Sequence, residues 1–189
     1  MRASLTSAGG SRISYADERP GDRDAQGALW ARFSQSLDEH GEPTGAPLWG
    51  LINPVRLRET MSKLLCQFCR EPARTPHGFL FLRSIEEGLP EPSTAVRTAQ
   101  PPFCLTHARM AAKRCPHLVE HGYAALLAQS APRYGVIGTP HRYTADRSIQ
   151  VLASDGVPVP YGAAAMDWLV GAQLVRTLRA FTVVDLADL

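Results

Sequence analysis

Two short cysteine-containing motifs constrain this chain more than any other feature of its sequence. Cys66 and Cys69 are separated by two residues, and a 34-residue spacer leads to Cys104, which is followed at the same spacing by His107. Two intervening residues let one tight turn bring both side chains of a pair to the same ion, and thiolate and imidazole are ligands that Zn²⁺ prefers. The pattern predicts one structural Zn²⁺ ion bound by Cys66, Cys69, Cys104 and His107.

The sequence does not decide which residue is the fourth ligand. His107 has the better spacing, because a helix is expected to begin at Cys104 and the first turn of a helix presents positions i and i+3 on one side. Cys115 and His117 are the alternative fourth ligands. The competing interpretation of the whole pattern is that the cysteines are buried apolar thiols and His107 is a surface residue.

Residues 66–114 resemble a treble-clef zinc finger in the order of their elements, which is a cysteine knuckle, a predicted strand and then a helix that donates two ligands. The chain departs from that family where Arg70 replaces the usual glycine after the second cysteine, and its spacer is long and proline-rich. The chain also resembles small actinobacterial proteins that share a CxxC, a Pro-Pro-x-Cys helix start (101–104) and a Cys-Pro-His (115–117). The second resemblance implies no activity.

Hydrophobic periodicity predicts an α+β fold, in which the treble-clef-like segment is followed by a C-terminal antiparallel sheet covered by a helix. Asn53 and Pro54 indicate a helix start, with Asn as the cap. Predicted helices cover 28–37, 53–65, 104–114, 116–128 and 164–180. Predicted strands cover 78–83, 95–98, 134–143, 148–153 and 181–186, with a hairpin over 148–161.

We expect three consecutive regions. Residues 1–53 are a polar lead-in with a short helix, residues 54–130 are the zinc-binding segment, and residues 131–189 are an α+β layer that is either separate or continuous with 54–130. Trp49, Leu51 and Ile52 are expected to anchor the loop that they occupy to a core.

Net charge does not select a partner, because 20 basic residues face 18 acidic residues. The distribution is uneven, since residues 54–150 carry thirteen basic and seven acidic side chains, a net charge of +6. If the basic side chains near the motifs converge, they form a face suited to phosphate groups. The candidate nucleic-acid-binding residues are Arg70, Arg74, Arg83, Arg109, Lys113 and Arg114.

A second motif, His117-Leu-Val-Glu120-His121, matches the H-x-x-E-H pattern of some zinc peptidases. That chemistry needs a further carboxylate ligand, and no Glu occurs after Glu120. Solvated or core-edge histidines are therefore the favoured interpretation. A His-Asn-His nuclease is disfavoured as well, because the first predicted strand does not end in a histidine.

These patterns favour a non-enzymatic, zinc-stabilised binding protein that contacts nucleic acid or an acidic protein through its basic face. The alternatives are a small zinc-dependent hydrolase or nuclease, and an assembly component that uses its C-terminal helix. We expect a cytoplasmic location without membrane contact, since no apolar run is long enough to span a bilayer and no secretory signal is evident. Oligomeric state is open.

Overall fold

Strands outnumber helices in the computed structural model of this chain, which describes residues 1–5, 9–34, 36–40, 44, 53–88, 90 and 95–189. The predicted anchors Trp49, Leu51 and Ile52 lie outside the described residues. Within those residues the helices are α1 (Pro54–Lys63), α2 (Leu105–Arg114) and α3 (Pro116–His121). The strands are β1 (Arg2–Leu5), β2 (Ser11–Ser14), β3 (Leu29–Trp30), β4 (Arg74–Thr75), β5 (Gly78–Ser84), β6 (Val96–Thr98), β7 (Tyr123–Ser130), β8 (Arg133–Tyr143), β9 (Ile149–Val151), β10 (Val159–Pro160) and β11 (Leu169–Val184).

The predicted α+β class, with a helix covering a C-terminal antiparallel sheet, is wrong. The segment predicted as that helix, 164–180, begins with a short 3₁₀ turn, Ala164–Trp168, and continues as the long strand β11. Its apolar residues fit a helical stripe, but its backbone pairs instead with β3, β6 and β7. Non-local pairing outweighs local periodicity here, as it often does for strands.

Strands also occupy part of two other segments that were predicted to be helical. The helix predicted over 116–128 ends after one and a half turns, at His121, because Gly122 has a φ of 76° and the chain then enters β7. Residues 28–37 contain β3, whose Leu29 and Trp30 are both buried. The predicted hairpin over 148–161 is not formed either, since β9 and β10 each pair with β8.

The helices and the strand around the cysteine motifs were predicted correctly. The Asn53 side-chain oxygen accepts hydrogen bonds from the amides of Val55 and Arg56, at 3.0 and 3.1 Å, and so caps α1 as its sequence indicates. Cys104 is the N-cap residue of α2. β5 matches the predicted strand over 78–83 within one residue.

One compact unit consists of Met1–Arg56 and Gly135–Gln173. β1 and β2 form an antiparallel pair, and Ile13 in β2 is fully buried against Leu29 and Val170. Arg32 in this unit donates hydrogen bonds to the carboxylates of Asp17 and Asp22. The hydrogen bond from Arg32 lowers the pKa of Asp22 to about 2.

The second unit, Leu57–Tyr134 and Leu174–Leu189, contains both predicted ligand pairs. β5 lies between β4 and β7. Its side chains alternate between two apolar clusters, so that Phe79 and Phe81 pack on one face while Leu80 and Leu82 pack on the other, where α2 lies.

A buried arginine fixes the end of α1, from which the chain continues into the first cysteine motif. The Arg176 guanidinium, 5% exposed, donates to the carbonyl oxygens of Met61 at 2.6 Å and Ser62 at 2.9 Å and to that of Ala131. Carbonyls in the last turn of a helix have no partner within the helix, so this side chain satisfies groups that would otherwise be left unpaired.

Candidate metal centre

The first ligand pair lies on a tight turn that directly follows α1. The Arg70 amide donates to the carbonyl of Cys66 at 3.0 Å, and the Cys66 amide donates to the carbonyl of Glu71 at 2.8 Å. Arg70 has a φ of 62°, in the left-handed region that favours glycine. The turn therefore has a backbone conformation that glycine adopts most readily, and an arginine adopts it here.

The second pair lies at the start of α2. Cys104 is the N-cap residue, and His107 follows one turn later, so both side chains leave the helix on the same side. The Nδ1 atom of His107 lies 3.1 Å from the Sγ of Cys104 and 3.6 Å from the Sγ of Cys66. The imidazole thus directs one nitrogen at sulfurs from both pairs.

Main-chain hydrogen bonds join the two pairs. The Gln67 amide, inside the turn, donates to the carbonyl of Pro102 at 3.0 Å, and the Phe103 amide donates to the carbonyl of Leu80 in β5 at 2.8 Å. β5 thereby holds the residues just before Cys104, and these in turn hold the first cysteine motif. Backbone bonds of this kind position the donors without depending on any ligand side chain.

The four predicted ligands come together as one cluster. One donor atom from each of Cys66, Cys69, Cys104 and His107 lies within 4.8 Å of all the others. Sulfurs bound tetrahedrally to one Zn²⁺ at about 2.3 Å lie about 3.8 Å apart. The arrangement can hold a metal ion after small side-chain adjustments. Cys66 is buried and Cys69 is exposed, so the cluster has one inner and one outer side.

Electrostatics within the cluster favour a bound cation. Burial raises the pKa of Cys66, but the amides of Cys104, Cys69 and Phe68 donate to its sulfur and bring that pKa down to about 7. Burial, together with the neighbouring Cys66 sulfur, raises the pKa of Cys104 to about 11, although the His107 amide acts in the opposite direction. Several thiolates cannot be charged at one place without a cation to compensate them.

Phe68, which lies between the two cysteines of the first motif, is a further residue of the site. Phe68 is 46% exposed, and its ring stacks on the imidazole of His107, with centroids 5.4 Å apart and planes 11° apart. The stack fixes the plane in which the Nδ1 atom of His107 points. The only sequence signal for this role of Phe68 was its position between Cys66 and Cys69.

The six basic residues predicted to bind nucleic acid are not brought to one face. Arg83 follows Phe81 on β5 and lies on the sheet face opposite α2, and the Arg74 guanidinium lies 5.3 Å from the centre of the Phe79 ring on that same face. Arg70 forms an ion pair with Glu59. Exposed basic residues remain together on α2. They are Arg109, Lys113 and Arg114.

The alternative fourth ligands lie elsewhere. Cys115 is the residue between α2 and α3 and does not belong to the cysteine cluster. His117 belongs to a second group, with His121 and Glu86, whose donor atoms also lie within 4.8 Å of one another. Sequence reasoning sought the missing carboxylate after Glu120 and did not consider Glu86, which precedes the motif.

Among the described residues, no helix has both the length and the apolar character needed to cross a membrane. Comparison with protein-family models, with curated proteins and with solved structures found no match to this chain.

Proposed function

We propose that this chain is a non-catalytic binding protein whose second unit is stabilised by one structural Zn²⁺ ion. The observation that carries the proposal is the meeting of three cysteine sulfurs and one imidazole nitrogen within 4.8 Å. Zn²⁺ is the ion that this donor set favours, and four protein ligands complete a tetrahedron. A closed site has no position for a reactive water, so the ion's role is structural.

The order of elements supports a treble-clef-like architecture for this site. A cysteine turn is followed by the antiparallel pair β4 and β5 and then by α2, whose first turn supplies the second ligand pair. Each ligand pair is local, and the ion connects segments that are 34 residues apart. Metal binding of this kind contributes directly to folding. A reducing, cytoplasmic compartment would keep the thiols available.

The binding surface that we propose is the exposed side of α2. Arg109, Lys113 and Arg114 lie on this helix, and the ten-residue helix contains no acidic side chain. Such a surface favours an anionic partner, and nucleic acid is the one we propose, with an acidic protein as the alternative. The alternative of an assembly component is withdrawn, because its C-terminal helix is the strand β11.

Metal content tests the first part of this proposal. Elemental analysis of the purified wild-type chain should find at least one Zn²⁺ per chain, and Cys69→Ser should contain one fewer. Substituting Co²⁺ for the ion should produce the strong thiolate-to-metal absorption of a sulfur-rich tetrahedral site. Equal zinc in the two proteins, or a cobalt form without thiolate absorption, would refute the metal centre.

Salt dependence tests the second part. The double variant Lys113→Gln, Arg114→Gln should bind mixed-sequence duplex DNA more weakly than wild type. The slope of log K against log salt concentration should fall by about 2, at roughly 0.9 per lost phosphate contact. The variant Arg142→Gln, Arg147→Gln removes the same charge from the other unit and is the matched control. Equal slopes for the two variants would exclude α2 as the contact.

A further inference from the structure

A second cluster of metal-ligating side chains lies outside the cysteine site. The Nδ1 atom of His121 lies 2.9 Å from a carboxylate oxygen of Glu86, and the rings of His117 and His121 have centroids 4.8 Å apart. One donor atom from each of the three residues lies within 4.8 Å of the others. Glu120 adds a second carboxylate, 3.7 Å from the other ring nitrogen of His121.

The backbone, and not chance proximity, brings Glu86 to the histidines. β5 and β7 pair antiparallel, and the last residue pair of their ladder is Ser84 with Tyr123. Extending this register by two residues places Glu86 opposite His121. The Ile85 amide donates to the carbonyl of Gly122 at 3.3 Å, so the two segments stay joined beyond the ladder. The Ser84 hydroxyl accepts a hydrogen bond from the Glu86 amide at 3.3 Å, which holds the turn that carries Glu86.

The two histidines are four residues apart on α3 and therefore share one side of it. Two histidines at this spacing, joined by a carboxylate from another segment, are a ligand set that Zn²⁺ and similar ions accept. The site is open to ions from solution, since the side chains of Glu86 and His121 are 55% and 30% exposed. Two carboxylates beside two imidazoles also favour a cation over an anion.

We propose that Glu86, His117 and His121 form a second, open binding site for a divalent transition-metal ion such as Zn²⁺ or Ni²⁺. Three protein ligands leave at least one coordination position for water or for a ligand from another molecule. The two sites differ in their donor sets. The second site offers nitrogen and oxygen donors from three residues, whereas the cysteine cluster is sulfur-rich and has four protein ligands. The second ion should exchange with solution, whereas the first should be retained.

The proposal is independent of the zinc-stabilised binding function, and the experiment separates the two. Protein that already contains the ion at the cysteine cluster is titrated with Ni²⁺ by calorimetry. Because the ion at the thiolates is retained during the titration, the heat measured reports on the second site. Wild type should bind one further equivalent. His117→Ala and Glu86→Gln should each weaken this binding at least tenfold, while elemental analysis finds the same zinc at the cysteine cluster.

His77→Ala is the matched control, since it removes an exposed histidine of the same unit that lies outside the cluster. It should bind the second equivalent as wild type does. Absence of a second equivalent in wild type would overturn the proposal and leave Glu86 and His121 as a metal-free ion pair. A loss of affinity in His77→Ala as large as in His117→Ala would overturn it too, by showing that exposed histidines bind the ion non-specifically.

Discussion

Removing Cys69, a proposed ligand, should destabilise the second unit through loss of the proposed ion alone. Cys69 is exposed, whereas Cys66 is fully buried. Substituting serine for an exposed cysteine costs less than about 0.5 kcal/mol through lost packing. A larger loss of stability in Cys69→Ser must therefore arise from the ion that its sulfur helps to hold.

The size of the effect follows from linkage. An ion present at about 1,000 times its dissociation constant stabilises the folded state by about 4 kcal/mol. The second unit consists of segments of 78 and 16 residues, Leu57–Tyr134 and Leu174–Leu189. For a domain of that size 1 kcal/mol corresponds to about 4–8 °C in Tm, so loss of the ion should lower the Tm by roughly 15–30 °C.

The assay compares thermal unfolding in excess zinc and in a strong chelator. Wild type should lose most of this roughly 15–30 °C in Tm on chelation. Cys69→Ser should melt near the lower temperature in both conditions, with only the smaller response to zinc that the second site can give. Cys115→Ser, which changes a cysteine outside the cluster, should behave as wild type. The reasoning fails if wild type melts at the same temperature with and without chelator, or if Cys69→Ser responds to zinc as wild type does.

Substitutions at three arginines test other parts of the structure. Arg70→Gly should preserve zinc content and Tm, because Arg70 has a positive φ that glycine adopts readily. Arg70→Val should lower the Tm, because a β-branched residue is strained at that φ. Equal Tm values for the two variants would contradict the assigned turn. Arg176→Met should lower the free energy of unfolding in urea by about 3 kcal/mol or more, because three carbonyls lose a charged donor. Arg176→Lys should recover only part of that free energy. An unchanged free energy of unfolding in Arg176→Met would show that those hydrogen bonds are unimportant. The lowered pKa of Asp22 implies stability that is present above pH 4 and is lost as the pH falls towards 2. In acid titrations, Arg32→Ala should therefore lose less stability than wild type over that pH range. Parallel stability curves for the two proteins would refute the link.

The parts of this molecule that sequence reasoning predicted correctly depend on local signals. Asn53 followed by Pro54 marks a helix start, and each ligand pair is defined by a two-residue spacing that one turn can satisfy. Such features are decided within a few residues and do not require knowledge of what packs against them. The same reasoning identified the four members of the cysteine cluster.

The misinterpreted parts are decided by pairing between distant segments. Residues 164–180 have a helical stripe of apolar side chains, yet β11 pairs with strands far away in the chain, among them β3, β6 and β7. Glu86 was missed for a similar reason. It meets His121 only because β5 and β7 pair in one particular register, which no local pattern predicts.

The long strand β11 has a consequence for synthesis on the ribosome. Its residues 169–173 belong to one unit and its residues 174–184 to the other. Neither unit can reach its final form until this late segment has emerged from the exit tunnel, although Cys66, Cys69, Cys104 and His107 emerge much earlier. The nascent chain thus exposes its thiols before β11 arrives, and early capture of an ion would protect them until that strand has been translated.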